Sequence, residues 1–137
     1  IAKACELAKA KGAKRALALP VAGAYHSRLM ASAKPKVQGM LAAVQMSAPK
    51  VPVISNVTAQ PHGTTAEIAA RLVDQVTSSV RWENSMRHLL AQGFTRFIEL
   101  GPGVALTGFM KRIDKNAHLF NVADMASLDA TAKTLAS

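Results

Sequence analysis

The stretch TRFIELGPGVALTGFMKRI, at residues 95–113, decides the fold class of this chain. Residues 95–100 form an apolar run that predicts a buried strand, and the Gly101-Pro102-Gly103 turn leads into a predicted helix at 104–113. Residues 118–122 predict a further strand, and residues 127–135 predict a last helix. Strands that alternate with helices indicate an α/β layer fold with some parallel strand pairing.

The chain before this stretch continues the alternation of helices and strands. Thr65 is the predicted cap of one helix, and an apolar stripe made of Val37, Met40, Leu41 and Val44 is predicted to be buried on another. Helices are predicted at 1–11, 34–46, 66–76 and 82–92, and short strands at 15–19 and 53–55.

Composition narrows the class of protein and its partners. Half of the 137 residues are hydrophobic, but no apolar run approaches the length of a membrane span, which predicts a protein without membrane segments. A single cysteine excludes an internal disulfide, and no histidine has partners at metal-ligand spacing, so no metal site is predicted. His62, in a Pro-His-Gly turn, is expected to be solvated.

The net charge of +9 is concentrated in the first half of the chain. Residues 1–66 hold nine basic residues and one acidic residue, which gives +8, whereas the remainder contributes +1. A one-sided basic field attracts polyanions, among which nucleic acid, an acidic carrier protein and coenzyme A phosphates all qualify. Few aromatic residues are available to stack on bases, which counts against single-stranded nucleic acid.

A histidine follows a run of small residues at Val21-Ala22-Gly23-Ala24-Tyr25-His26. Small residues let the backbone approach another surface, and histidine is the side chain best suited to proton transfer near neutral pH. From spacing alone, a plain surface or core histidine is the simpler interpretation. Ser27 is interpreted as a helix cap rather than as a nucleophile.

The segment GAYHSRLM, at residues 23–30, resembles the histidine motif of the malonyl-CoA:acyl-carrier-protein transacylases of fatty-acid synthesis. The family's Gly-His-Ser-Leu-Gly nucleophile segment has no counterpart here, so the resemblance covers only the C-terminal part of the family. Four further stretches match that family in order, namely PVISNVTA at 52–59, Gln75-Val76 with VRW at 80–82, FIELGPG at 97–103 and LTGFMKRI at 106–113.

This resemblance implies an α/β fold in two pieces. Residues 20–137 are expected to form the C-terminal part of an α/β-hydrolase-like large subdomain. Residues 1–19 are expected to be the last helix and strand of an inserted ferredoxin-like small subdomain. The Gly101-Pro102-Gly103 turn is interpreted as structural, because Leu106 stands where a dinucleotide loop would need its third glycine.

The resemblance also implies roles for three residues. His26 is expected to act as general base and acid in acyl transfer, and the backbone carbonyl of Gln75 is expected to orient its ring. Tyr25 is expected to disfavour branched acyl groups, with a discrimination of about 1–3 kcal/mol for one methyl group. Ser79 stands where relatives often have proline, a departure close to the Gln75 match.

The implied reaction moves malonyl from coenzyme A to the phosphopantetheine thiol of acyl carrier protein through a serine ester. No metal or bound cofactor is implied, and the expected partners are the carrier protein, the coenzyme A thioester and an N-terminal part of the same protein. Without the serine, this chain alone is predicted to be inactive. A cytoplasmic location is expected unless that other part carries a targeting segment. Two alternatives stay open: an acyltransferase domain of a polyketide synthase, and a non-catalytic basic module that binds a carrier protein or nucleic acid.

Overall fold

The computed structural model describes residues 1–136, which form six α-helices, one 3₁₀ helix and two strands. The 3₁₀ helix spans Arg28–Ala33 and runs directly into α2. The other elements, in chain order, are α1 (Ala2–Ala10), α2 (Lys34–Ala42), α3 (Thr65–Gln75), α4 (Trp82–Ala91), β1 (Arg96–Leu100), α5 (Ala105–Ile113), β2 (His118–Val122) and α6 (Met125–Ala136).

The predicted α/β alternation is present in the second half of the chain. Strands β1 and β2 pair in parallel, with Arg96 opposite His118 and Leu100 opposite Val122, and α5 connects them. Helix α5 packs on α4 and β2, and α6 packs on β2. A parallel pair needs such a crossover because the chain must return to the same end of the sheet.

Glu99 on β1 fastens the start of α5. Its carboxylate accepts hydrogen bonds from the backbone N–H groups of Leu106 (3.0 Å) and Thr107 (2.8 Å), and from the Thr107 hydroxyl (2.6 Å). These N–H groups belong to the first turn of the helix, which has no intrahelical acceptors. The bond from the Thr107 hydroxyl contributes most to holding the pKa of Glu99 below its ordinary value.

The turn between β1 and α5 has the structural role that the sequence predicts. Gly101 and Gly103 adopt φ values of 127° and 90°, which side chains other than glycine rarely tolerate. The Asn121 amide donates a 2.7 Å hydrogen bond to the Gly103 carbonyl and ties the turn to β2. The turn is therefore part of the packing between sheet and helix.

The described part of the chain buries little apolar surface. Ala59 and Met110 are its only fully buried apolar residues, whereas Leu19 and Leu100 are about three-quarters exposed, at 75% and 77%. The accessible area is 10332 Å². A compact monomer of 14.5 kDa would have about 6,900 Å². The elements therefore present apolar faces that no part of residues 1–136 covers.

Two predicted strands do not form. Residues 15–19 are extended but carry no strand pairing, with Leu17 and Leu19 exposed, and residues 53–55 contribute only an isolated bridge between Ile54 and Pro61. A strand requires a neighbour for its backbone N–H and C=O groups, and no described strand pairs with residues 15–19. The strand expected at the end of the small subdomain is therefore absent from this chain.

The helices form close to their predicted positions, with differences at caps and faces. The cap of α3 is Thr64 rather than Thr65, because Thr64 and Glu67 form a reciprocal capping box. In the predicted stripe of α2, Met40 and Val44 are 73% and 53% exposed, so that prediction is wrong for them. The prediction assumed a packing partner on that face, whereas the main contacts of α2 are with α3 and the preceding 3₁₀ helix, and Val44 lies beyond the end of α2 at Ala42.

Candidate active site

The histidine motif forms an exposed loop that Ser27 ends. His26 has a φ of 59°, in the left-handed region that residues other than glycine seldom adopt. The Ser27 hydroxyl accepts the Leu29 N–H (3.3 Å) and donates to the Ala24 carbonyl (2.7 Å), and the 3₁₀ helix begins at the next residue. The interpretation of Ser27 as a cap is confirmed, and the cap fixes the backbone on one side of His26.

The structure brings His26 and Gln75 together, although 49 positions separate them. Nδ1 of His26 lies 3.0 Å from the Gln75 carbonyl oxygen. Gln75 is the last residue of α3, so its carbonyl has no intrahelical donor and is free to accept the imidazole N–H. With the proton on Nδ1, Nε2 keeps its lone pair and is available as a base.

The side chain of Gln75 also approaches the ring, which the sequence did not predict. Its Nε2 lies 3.1 Å from Nδ1 of His26 and 3.0 Å from the Ser78 carbonyl, to which it donates. Because Nδ1 is the donor toward the Gln75 carbonyl, the carboxamide is held by Ser78 instead. The carboxamide thus closes the turn after α3 and fixes the carbonyl that faces the ring.

Tyr25 lies on the surface beside His26 and is 58% exposed. Its ring covers Gly23, where an added Cβ would lie 3.5 Å from the ring carbon Cζ. Tyr25 precedes His26 on the same exposed loop.

The other histidines do not join this site. His62 is half-buried rather than solvated, so that prediction is wrong. Its backbone N–H donates to the Val53 carbonyl, while its Nδ1 has no hydrogen-bond partner among the described residues. Burial lowers the pKa of His62 below its ordinary value, and the Arg71 guanidinium lowers it further. Across residues 1–136, no cluster of three His, Cys, Asp or Glu side chains could hold a metal ion, and no helix has both the length and the apolar character needed to cross a membrane.

Comparison with known proteins identifies homologues of this chain. No protein-family model matches the sequence. The malonyl CoA-acyl carrier protein transacylase of Bacillus subtilis is 42% identical over 132 residues, which cover 96% of this chain. The chain is a homologue of the malonyl-CoA:acyl-carrier-protein transacylases. It spans about two fifths of their length, 42% in the case of the Bacillus protein.

Solved structures of transacylases have the same fold as this homologue. An acyl-carrier-protein S-malonyltransferase from Burkholderia pseudomallei matches with a TM-score of 0.91 and 45% identity, over 96% of this chain and 43% of that one. A malonyl-transacylase solved in complex with its type II PKS acyl-carrier protein matches with a TM-score of 0.92 and 34% identity, over 97% and 43% respectively. This chain therefore has the α/β fold of the part of the transacylases that it matches.

Proposed function

We propose that this chain is the part of a malonyl-CoA:acyl-carrier-protein transacylase that carries the catalytic histidine. The observation that carries the proposal is the 3.0 Å contact between Nδ1 of an exposed His26 and a main-chain carbonyl at the end of α3. This contact sets the tautomer in which Nε2 is a base. Residues 20–137 then correspond to the C-terminal part of the α/β-hydrolase-like large subdomain, and residues 1–19 to the end of the small one.

In the proposed first half-reaction, Nε2 of His26 takes the proton of a serine hydroxyl as the serine oxygen attacks the malonyl thioester carbonyl. The tetrahedral intermediate collapses, the C–S bond breaks, and the imidazolium returns its proton to the leaving coenzyme A thiol. In the second half, the phosphopantetheine thiol of the carrier protein gives its proton to Nε2 and attacks the serine ester. The serine regains that proton when its C–O bond to the malonyl group breaks.

The group that holds His26 in this scheme is a neutral carbonyl. A carboxylate in its place would stabilise the imidazolium by charge, whereas a carbonyl offers mainly orientation and tautomer selection. In this scheme the Gln75 carbonyl therefore acts by positioning the imidazole ring of His26. Tyr25, the residue before His26, would disfavour a methyl branch on the acyl group by about 1–3 kcal/mol, which gives preference rather than exclusion.

The serine in this proposal comes from a polypeptide segment outside residues 1–137. Two observations support such a segment: the chain spans 42% of the Bacillus relative, and its accessible area of 10332 Å² leaves apolar faces uncovered. Those faces would pack against that segment. We therefore expect this chain alone to form no acyl adduct with malonyl-CoA, and intact-mass measurement of the isolated chain tests this directly.

The proposed macromolecular partner is an acyl carrier protein. The +8 charge of residues 1–66 suits an acidic protein surface and the phosphates of coenzyme A. A relative solved with its type II PKS carrier supports a polyketide pathway as a second setting for the same reaction. The absence of a metal or bound cofactor, and a cytoplasmic location, stay predictions.

Replacement of His26 by alanine in the complete transacylase tests the proposal. Loss of a general base lowers malonyl transfer by about 10²- to 10⁴-fold. His118→Ala is the matched control, because His118 is an exposed histidine on β2 outside the His26–Gln75 contact. Full transfer by His26→Ala would leave the non-catalytic binding module as the better interpretation.

A further inference from the structure

The segment that runs from His26 to the start of α2 is attached to the end of α3 at a second point, through an ion pair. Nζ of Lys34 lies 2.8 Å from Oδ1 of Asp74, across 40 positions of sequence. Asp74 is the residue immediately before Gln75. Two successive residues of α3 therefore hold two points of one short segment: Gln75 holds His26, and Asp74 holds Lys34.

The segment between these two points is helical through most of its length. It begins at the Ser27 cap, continues as the 3₁₀ helix and ends at Lys34, where α2 starts. Lys34 is at the junction of the two helices, so its ion pair ties this end of the segment to the end of α3 that also holds His26. His26 at the other end has a left-handed φ that surrounding contacts must hold in place.

Asp74 is unfavourable for its own helix, which indicates a tertiary role. A negative charge in the last turn of a helix opposes the helix dipole, and the last turn of α3 contains no basic residue to offset it. Lys34 supplies the missing positive charge from another element. Residues that break a local rule often do so for a contact elsewhere in the fold.

We infer that the Lys34–Asp74 ion pair is a positioning device that keeps the imidazole of His26 on the Gln75 carbonyl. The inference rests on the proposed function, because it assigns the pair to the reaction in which His26 is the base. Neither residue touches substrate in this scheme. The pair is partly covered, with Lys34 at 33% and Asp74 at 55% side-chain exposure.

The kinetic test uses Lys34→Met and Asp74→Asn in the complete transacylase. We expect each to lower kcat by about fivefold, with little change in KM, since the ring is displaced but the acyl pocket is not. The charge-swapped double variant K34D/D74K restores most of kcat. Glu83→Gln, which breaks the equally short Arg87–Glu83 pair on α4, is the matched control and leaves kcat unchanged.

A spectroscopic arm separates this inference from the proposed function. In protein labelled with ¹⁵N-histidine, the Hδ1 proton of His26 reports its hydrogen bond to Gln75. Lys34→Met is expected to shift that signal and speed its exchange with solvent, and Glu83→Gln is not. An unchanged Hδ1 signal, or a charge swap no better than either single variant, would overturn the inference. If His26→Ala keeps full transfer, the proposed function fails and the Hδ1 signal still decides the role of the ion pair.

Discussion

Replacement of Gln75 by alanine separates the two contacts that this residue makes with the histidine site. The change leaves the main-chain carbonyl 3.0 Å from Nδ1 of His26 and removes the carboxamide that donates to the Ser78 carbonyl. One hydrogen bond of this kind contributes about 0.5–1.5 kcal/mol net. If all of it serves to hold the carbonyl in place, malonyl transfer falls by about two- to twelvefold.

Steady-state malonyl transfer to the carrier protein, measured with the complete transacylase, provides the comparison. His26→Ala is expected to cost about 10²- to 10⁴-fold, so its loss exceeds that of Gln75→Ala by about eightfold or more. Gln92→Ala is the matched control, since Gln92 also ends a helix, α4, but does not contact the histidine loop. A loss in Gln75→Ala as large as that in His26→Ala would refute the reasoning, because the carboxamide rather than the carbonyl would then hold the ring.

Three further predictions concern stability. The Met110 side chain is only 2% exposed and lies beside a cavity of about 200 Å³. Met110→Ala is expected to lower the free energy of unfolding, measured in urea, by about 3 kcal/mol, whereas Met110→Leu lowers it by less than about 1.5 kcal/mol. Equal losses in the two variants would contradict the described packing. Burial lowers the pKa of His62, so the neutral imidazole stabilises the folded state at pH values above the ordinary histidine pKa of 6.5. This stabilisation is lost as the pH falls below 6.5. His62→Asn should flatten the decline in melting temperature between about pH 7 and pH 5, and an unchanged slope would count against it. The pKa of Glu99 is lowered, so the ionised carboxylate stabilises the folded state above about pH 4.5, and this stabilisation is lost in more acidic solution. The difference in stability between the wild type and Glu99→Gln should therefore shrink on acidification.

Local sequence patterns predicted the elements whose causes are local. The β1–turn–α5 stretch has an apolar strand, two glycines at positive φ and a helix with basic residues in its last turn, and each feature is set by neighbours in sequence. Ser27 was predicted as a cap for the same reason. The prediction of a strand at residues 15–19 was wrong because an apolar pattern forms a strand only with a pairing partner, and no described strand pairs with it.

The site itself depends on contacts that no local pattern contains. The prediction that Gln75 approaches His26 came from the resemblance to a family, because the spacing of the two residues gave no indication of the contact. The Gln75 carboxamide and the Lys34–Asp74 pair were missed altogether, since each joins residues 40 or more positions apart or depends on how a helix end meets a loop. A lysine at a helix start and an aspartate at a helix end were the only signals, and both are common on solvated surfaces.

A main-chain oxygen at the end of α3 has a consequence for how this protein tolerates change. Every amino acid has a carbonyl, so an exchange at position 75 preserves the acceptor that faces His26. Natural variation there can be broad while the chemistry continues, and comparing residue types across species would underrate the position. The vulnerable property is where the helix stops: an insertion, deletion or proline that shifts the last turn of α3 would disconnect the ring while all the reacting side chains remain.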